Sequence, residues 1–233
     1  MVAVEDSVVV VTGGRRGLGA AIVDELLRRG ARKVYATARE DYVDERPNVV
    51  TRRLEVTSER SIAELAAAAT DAEIVINNAG ILLPGALLTA EMNDVSTTFD
   101  VNVFGPLRVT RAFAPILASH GGGAVVNVHS VLAWLGGSGA YGASKAAIWS
   151  VTNSLRTELA EQRTQVLGVH AGFIDTDMVS AIPLPKTAPA DVAQRILDAL
   201  EAGANEVLTD DATAQAKAAL SGPVENLTFA LSH

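Results

Sequence analysis

Tyr141 and Lys145 stand four residues apart in Tyr141-Gly142-Ala143-Ser144-Lys145, a spacing that puts both side chains on one face of a helix. A free tyrosine, with a pKa near ~10, is a poor proton donor or acceptor at neutral pH. An ammonium group beside it favours the phenolate and brings the phenol toward a working range. Taken alone the pair is ordinary, since many helices carry Tyr and Lys at this spacing. Its company is less ordinary. Ser130 ends an apolar run eleven residues earlier, and Asn102 lies inside a long helical stretch. Asn is a poor helix former, and a backbone perturbed there could bind a water.

A second group of residues has the makings of a phosphate cradle. Thr12-Gly13-Gly14-Arg15-Arg16-Gly17-Leu18-Gly19 follows an apolar β-branched run and opens a helical one. Glycines permit a tight turn and a close backbone approach to a diphosphate, and the helix start offers free N–H groups and the positive end of its dipole. A glycine-rich loop can also be a bare turn; its position between strand and helix favours dinucleotide binding. An acidic residue about 20 positions beyond such a loop would hold the ribose 2′-hydroxyl of NAD, whereas arginine suits the 2′-phosphate of NADP. Here the second strand ends Thr37-Ala38-Arg39, with no acid at Ala38. Arg15, Arg16 and Arg39 are candidate phosphate ligands or solvated surface charges, and Glu40 and Asp41 lie close enough to oppose an anion.

The elements that must position these residues alternate in type. Strands are expected at 7–12, 33–38, 48–54, 73–77, 124–129, 165–170 and 206–209, with helices at 18–29, 58–69, 94–119, 140–162 and 190–202. The first strand is a continuous apolar run, as suits a strand buried on both faces. Pro106 and Pro115 should kink or divide the 94–119 helix. Such alternation predicts an α/β fold, a Rossmann-type doubly wound parallel sheet of about seven strands with helices on both faces. With no repeat, linker or low-complexity tail, residues 1–233 read as one dinucleotide-binding domain that also carries the catalytic site, with a short substrate loop at 176–190.

Composition narrows the function classes. The chain has 19 Lys and Arg against 27 Asp and Glu, a net charge of −8. Such a surface argues against nucleic acid and anionic membranes as partners. Cysteine is absent, which removes thiolate chemistry and Cys-type metal sites, and no His/Asp/Glu set has metal-site spacing. No apolar run approaches the ~18 residues of a membrane span, and the acidic start lacks a secretory pattern. A cytoplasmic protein is expected.

In this register Thr12–Gly19, Tyr141/Lys145, Ser130 and Asn102 together resemble the short-chain dehydrogenase/reductase family in its single-domain form. Two further segments carry the resemblance: Glu55-Val56 after the third strand and Asn77-Asn78-Ala79-Gly80 ending the fourth. The resemblance covers roughly residues 5 to 180. It implies that Asn102, Ser130, Tyr141 and Lys145 are a catalytic tetrad. Tyr141 would exchange a proton with a carbonyl oxygen that Ser130 orients. Lys145 would lower the tyrosine pKa and bind the nicotinamide ribose, and Asn102 would position a relaying water. It further implies cofactor contacts from Gly13, Arg15, Arg16, Gly17, Leu18, Gly19, Arg39, Glu55, Val56, Asn78, Ala79 and Gly80. The segment Ala171-Gly172-Phe173-Ile174-Asp175-Thr176 would add Gly172, Ile174 and Thr176, with Ala171 where the family has proline.

Arg16 and Arg39 together favour NADP(H) over NAD(H). Leu82, Leu83, His129, Ser130, Val131, Leu132, Trp134, Phe173 and Met178 follow strand ends, where open sheets bind ligands, and are candidate pocket residues or core. An apolar ketone or aldehyde is the expected substrate, reduced reversibly to the alcohol. The alternatives are an NAD-dependent secondary-alcohol dehydrogenase and a non-catalytic NADP(H)-binding sensor or scaffold. A homodimer through the long helices is expected, with a tetramer possible.

Overall fold

Val8–Val11 (β1) is fully buried, and its side chains divide between two cores: Val9 and Val11 face one, Val8 and Val10 the other. That division follows from the period of two along a strand and shows why an unbroken apolar run belongs at the centre of a covered sheet. The computed structural model describes residues 2–229; residue 1 and residues 230–233 of the expected 1–233 span lie outside the described residues.

Around β1 the chain builds one seven-stranded parallel sheet in the order β3-β2-β1-β4-β5-β6-β7. The other strands are Lys33–Ala38 (β2), Val49–Arg53 (β3), Ile74–Asn77 (β4), Gly123–Val128 (β5), Thr164–His170 (β6) and Glu206–Leu208 (β7). The helices are Gly17–Arg28 (α1), Glu59–Ala68 (α2), Met92–Phe99 (α3), Gly105–Ser119 (α4), Gly139–Glu158 (α5), Pro189–Glu201 (α6) and Asp211–Ala219 (α7). Helices α1 and α6 cover one face, packed on each other as well as on the sheet. Helices α2, α4 and α5 cover the other. Ser58 caps α2 by accepting the Ser61 N–H, and Asp210 caps α7 by accepting that of Thr213.

The expected 94–119 helix is divided, but not by its prolines. A π-helical segment, Asp100–Phe104, separates α3 from α4. Pro106 falls in the first turn of α4, where a missing N–H costs little, and Pro115 lies inside α4 without ending it. The strand order reverses between β1 and β4, the place where open α/β sheets leave a crevice beyond their carboxyl ends.

Candidate active site

Two loops meet at that crevice and are stitched together. The Thr12 hydroxyl oxygen accepts the N–H groups of Asn78 and Ala79, both at 3.0 Å. The Asn78 amide donates back to the carbonyls of Thr12 (3.0 Å) and Gly13 (3.2 Å). Gly13 and Gly17 have φ of +69° and +56°, a region disfavoured for other residues. A Cβ on Gly19 would collide with the Gly13 carbonyl oxygen, so α1 can start this close to β1 only with glycine there. Arg16, at the N-cap of α1, makes no side-chain capping bond. The first N–H groups of α1, those of Gly17 and Leu18 among them, therefore have no side-chain cap and suit an anion. These loops bring Gly13, Gly17, Leu18, Gly19, Asn78, Ala79 and Gly80 to one crevice.

The cations expected beside β2 differ in their engagement. Arg15 pairs with Glu40 at 2.9 Å, and its guanidinium carbon lies 5.7 Å from the centroid of the Tyr42 ring. Arg16 approaches Asp177 only to 3.9 Å in an exposed setting. Arg39 is exposed and, among the described residues, pairs with no carboxylate. Beside it, at the end of β2, the Thr37 hydroxyl is buried without a hydrogen-bond partner. Glu40, which the sequence set against an anion, is thus neutralised by Arg15. Glu55 accepts the N–H (3.3 Å) and hydroxyl (3.0 Å) of Thr57. Val56 packs on Gly105, where a Cβ would stand 3.0 Å from a Val56 methyl.

On the other side of the crevice Asn102, Ser130, Tyr141 and Lys145 converge. Asn102 is buried, with every side-chain atom engaged: Oδ1 accepts the Ile81 N–H (2.9 Å), and Nδ2 donates to the Ile81 carbonyl (2.9 Å) and the Ser144 hydroxyl (3.0 Å). Its side chain therefore straps the π-helical segment to the loop after β4 and to α5. The residue that would complete an α-helical bond to the Asn102 carbonyl is Pro106, which has no N–H. The perturbed backbone expected at Asn102 is present.

The Lys145 ammonium donates to the Val128 carbonyl at 2.8 Å and lies 5.6 Å from the centroid of the Tyr141 ring. Burial pulls its pKa down to about 8. Tyr141 is pushed the opposite way, to about 12, because burial disfavours the phenolate more than the facing Ser130 hydroxyl favours it. Burial, not the expected lowering by Lys145, sets the direction of the Tyr141 shift, and a neutral phenol faces the crevice. Ser130 accepts the Leu132 N–H at 3.1 Å, which fixes its side chain at the start of a short 3-10 turn, Val131–Ala133.

The expected pocket residues divide. Leu82, Leu83 and Phe173 are half-buried, and Met178 is exposed. Val131 and Leu132 are buried in the turn behind Ser130. His129 and Trp134 do not face the crevice. His129 is 3% exposed and turns inward onto Thr152 and His170. Trp134 is 6% exposed and stacks on His170 with centroids 4.0 Å apart. Strand-end position alone did not predict which way these rings turn.

Beyond β6, Ile174 forms a bridge with Thr187, which ties the two ends of the 176–190 loop. The Thr176 methyl lies opposite Gly17, where a Cβ would come within 3.2 Å of it. Two residues were missed. Asp210 accepts the Gly172 N–H at 2.7 Å while capping α7 through the N–H (2.8 Å) and hydroxyl (2.7 Å) of Thr213. The pattern Asp210-x-x-Thr213 before a helical run was the available signal. Phe229 lies 5.7 Å from Phe173 between ring centroids, and its N–H donates to the Gly136 carbonyl at 2.7 Å. No local pattern marks that contact. Among the described residues no His, Cys, Asp or Glu cluster could hold a metal, and no helix is long and apolar enough to cross a membrane.

The family model described as short chain dehydrogenase matches residues 7–186. An uncharacterized oxidoreductase of Staphylococcus saprophyticus is 30% identical over 220 residues, covering 86% of this chain and 94% of that protein. A short chain dehydrogenase from Burkholderia cenocepacia, solved in complex with NADP, is 39% identical with a TM-score of 0.92, covering 97% of each chain. A short chain dehydrogenase/reductase from Burkholderia phymatum in complex with NAD is 24% identical with a TM-score of 0.85 over 100% of each chain, a likeness of fold.

Proposed function

Because the chain belongs to the short chain dehydrogenase family of oxidoreductases, we propose that it is an NADP(H)-dependent carbonyl reductase, reversible as an alcohol dehydrogenase, acting on apolar ketones or aldehydes. The observation that carries this reading is the convergence of Ser130, a neutral Tyr141 phenol and the Lys145 ammonium at the crevice.

The residues present fit a nicotinamide dinucleotide. The glycine cradle of Gly13, Gly17 and Gly19 suits a diphosphate, and the unpartnered Thr37 hydroxyl and unpaired Arg39 suit a ribose 2′-phosphate. Bound NADPH would supply the hydride. The protein's own residues do the rest. Tyr141, kept protonated by burial, gives its hydroxyl proton to the carbonyl oxygen as negative charge develops there. Ser130 donates a hydrogen bond to the same oxygen and fixes its direction. Lys145, with a pKa of about 8, is poised to restore the tyrosine proton near neutrality. The Asn102 carbonyl, deprived of its helical donor by Pro106, supports a water on the path from Lys145 to solvent. Leu82, Leu83, Phe173, Met178 and Phe229 supply apolar surface around the reacting group.

One observation favours NAD(H) instead: Glu40 occupies Arg15, leaving fewer free cations for a 2′-phosphate. The test is oxidation of NADPH and NADH in parallel by the purified protein across a panel of apolar ketones and aldehydes. NADPH-dependent turnover that Tyr141→Phe abolishes is the expected result. NADPH binding without turnover of any carbonyl would overturn it in favour of a sensor or scaffold.

A further inference from the structure

The last described stretch of the chain returns to the site. After α7 a 3-10 turn, Val224–Asn226, leads residues 227–229 alongside the loop between Ser130 and Tyr141. The Gly136 N–H donates to the Leu227 carbonyl at 2.8 Å, and the Phe229 N–H donates to the Gly136 carbonyl at 2.7 Å. Thr228 thereby pairs with Gly136 as a parallel bridge. Gly137, at φ +93°, makes the approach possible, because a Cβ there would collide with the Phe229 carbonyl oxygen.

This backbone edge delivers one ring. Phe229 packs on the buried cluster of Val131, Leu132, Ala133 and Trp134, against which Tyr141 also packs, and its centroid lies 5.7 Å from that of Phe173. Phe173 is fixed in turn: its carbonyl accepts the Thr187 N–H at 2.8 Å, and Asp210 holds the N–H of its neighbour Gly172. The stretch from 210 to 229 thus meets two consecutive residues beyond β6. The Phe229 side chain has no polar atom, so it acts by volume alone.

Strand order places the ring pair relative to the reacting groups. Ser130 follows β5, which lies between β4 and β6. Leu82 and Leu83 follow β4, and the chain continues there through exposed residues 84–89. Phe173 follows β6 and is backed by Phe229. The two flanks of Ser130 are therefore unequal. The β6 flank ends on two rings in contact, each anchored through the backbone, and the β4 flank ends on an exposed loop.

We propose that Phe229 is a specificity-determining residue: with Phe173 it bounds the β6 side of the pocket and limits the ketone substituent there to methyl or ethyl. The substrates are then unsymmetrical ketones with one small and one bulky apolar group, the bulky group lying on the β4 side. This proposal rests on the carbonyl-reductase reading above.

The test compares NADPH-dependent kcat/KM for phenyl methyl ketone and phenyl propyl ketone. An apolar pocket of fixed size discriminates by about tenfold or more per methylene, so the wild type should favour the methyl ketone by at least about tenfold. Phe229→Ala should cut that ratio by at least about fivefold, chiefly through a gain on the propyl ketone, and Phe229→Trp should raise it. Equal wild-type values for the two ketones overturn the proposal, as does a ratio that Phe229→Ala leaves unmoved. A ring that only seats the C-terminal segment predicts equal losses on both ketones, and that result also overturns it. Should Phe229→Ala fail to fold by circular dichroism, Phe229→Leu, which keeps an apolar contact with less volume, carries the test with the same sign. A wild type that reduces benzaldehyde but neither ketone overturns the size limit alone. A wild type inactive on every carbonyl removes the size limit together with the function above.

Discussion

Asp210→Ala should remove two supports at once. The carboxylate caps α7 and pins the Gly172 N–H, the first turn beyond β6 on the cofactor side. Loss of an N-cap costs about 1 kcal/mol. Loss of a hydrogen bond from a backbone N–H to a carboxylate costs about 1.5–3 kcal/mol. Together that is about 2–4 kcal/mol, and at roughly 2–4 °C per kcal/mol for a chain of this size, Tm should fall by about 5–15 °C. Thermal unfolding followed by circular dichroism measures it, with Asp210→Asn expected to lose less because one amide oxygen can still cap. The pH dependence has a definite sign. Burial raises the Asp210 pKa, but hydrogen bonds from Thr213, Gly172 and Thr209 outweigh it and hold the carboxyl below its ordinary value of 3.8. A depressed carboxylate stabilises fully above the unfolded pKa, and that contribution is lost as pH falls through the folded one. The Tm gap between wild type and Asp210→Ala should therefore be full at pH 7 and shrink below about pH 4. The KM for NADPH should rise as the Gly172 turn loosens. An unchanged Tm with an unchanged cofactor KM would refute the pin.

Three other outcomes follow from the same geometry. Gly19→Ala should abolish cofactor binding, measured by NADPH fluorescence titration, because its methyl meets the Gly13 carbonyl oxygen rather than a movable side chain. Arg39→Asp should shift the ratio of kcat/KM for NADPH over NADH toward NADH by at least tenfold; an unchanged ratio would mean that Arg39 does not meet the 2′-phosphate. Arg29, 11% exposed, holds Glu25, Asp198 and Glu201 at 2.7 Å each and joins α1 to α6. Arg29→Met should cost about 1–2 kcal/mol in denaturant unfolding, since Glu25 keeps Arg28 and the half-exposed Asp198 and Glu201 return to water.

The sequence was most legible where one residue type answers one local demand. The four valines of β1 could only be a doubly covered strand, and the seven strands and the glycine loop fall where expected. The helix break was foreseen near Asn102 in its effect on the backbone but assigned to prolines; Pro106 instead opens α4, and the π-helical segment lies just before it. Orientation just beyond a strand end was not legible. His129 follows β5, where the alternation that tells inward from outward has stopped, and its ring is drawn inward by Thr152 and His170, distant in sequence. Asp210 and Phe229 act on the site from the last part of the chain: the Asp210 cap of α7 is written locally, but its hold on Gly172 and the Phe229–Phe173 contact join residues distant in sequence.

The Asp100–Phe104 segment adds a residue without adding a turn, and one residue on an α-helix is about 100° of rotation. It works as a phase shifter: α3 presents one side to α5, while α4 presents another to the sheet and α2. The two helices could not both meet their neighbours on an unbroken helical lattice. Substitutions along the segment leave that angular offset in place, whereas removing one residue would cancel it and swing Asn102 away from Ile81 and Ser144. Chain length between α3 and α4, more than the identity of any exposed residue there, is the quantity under constraint.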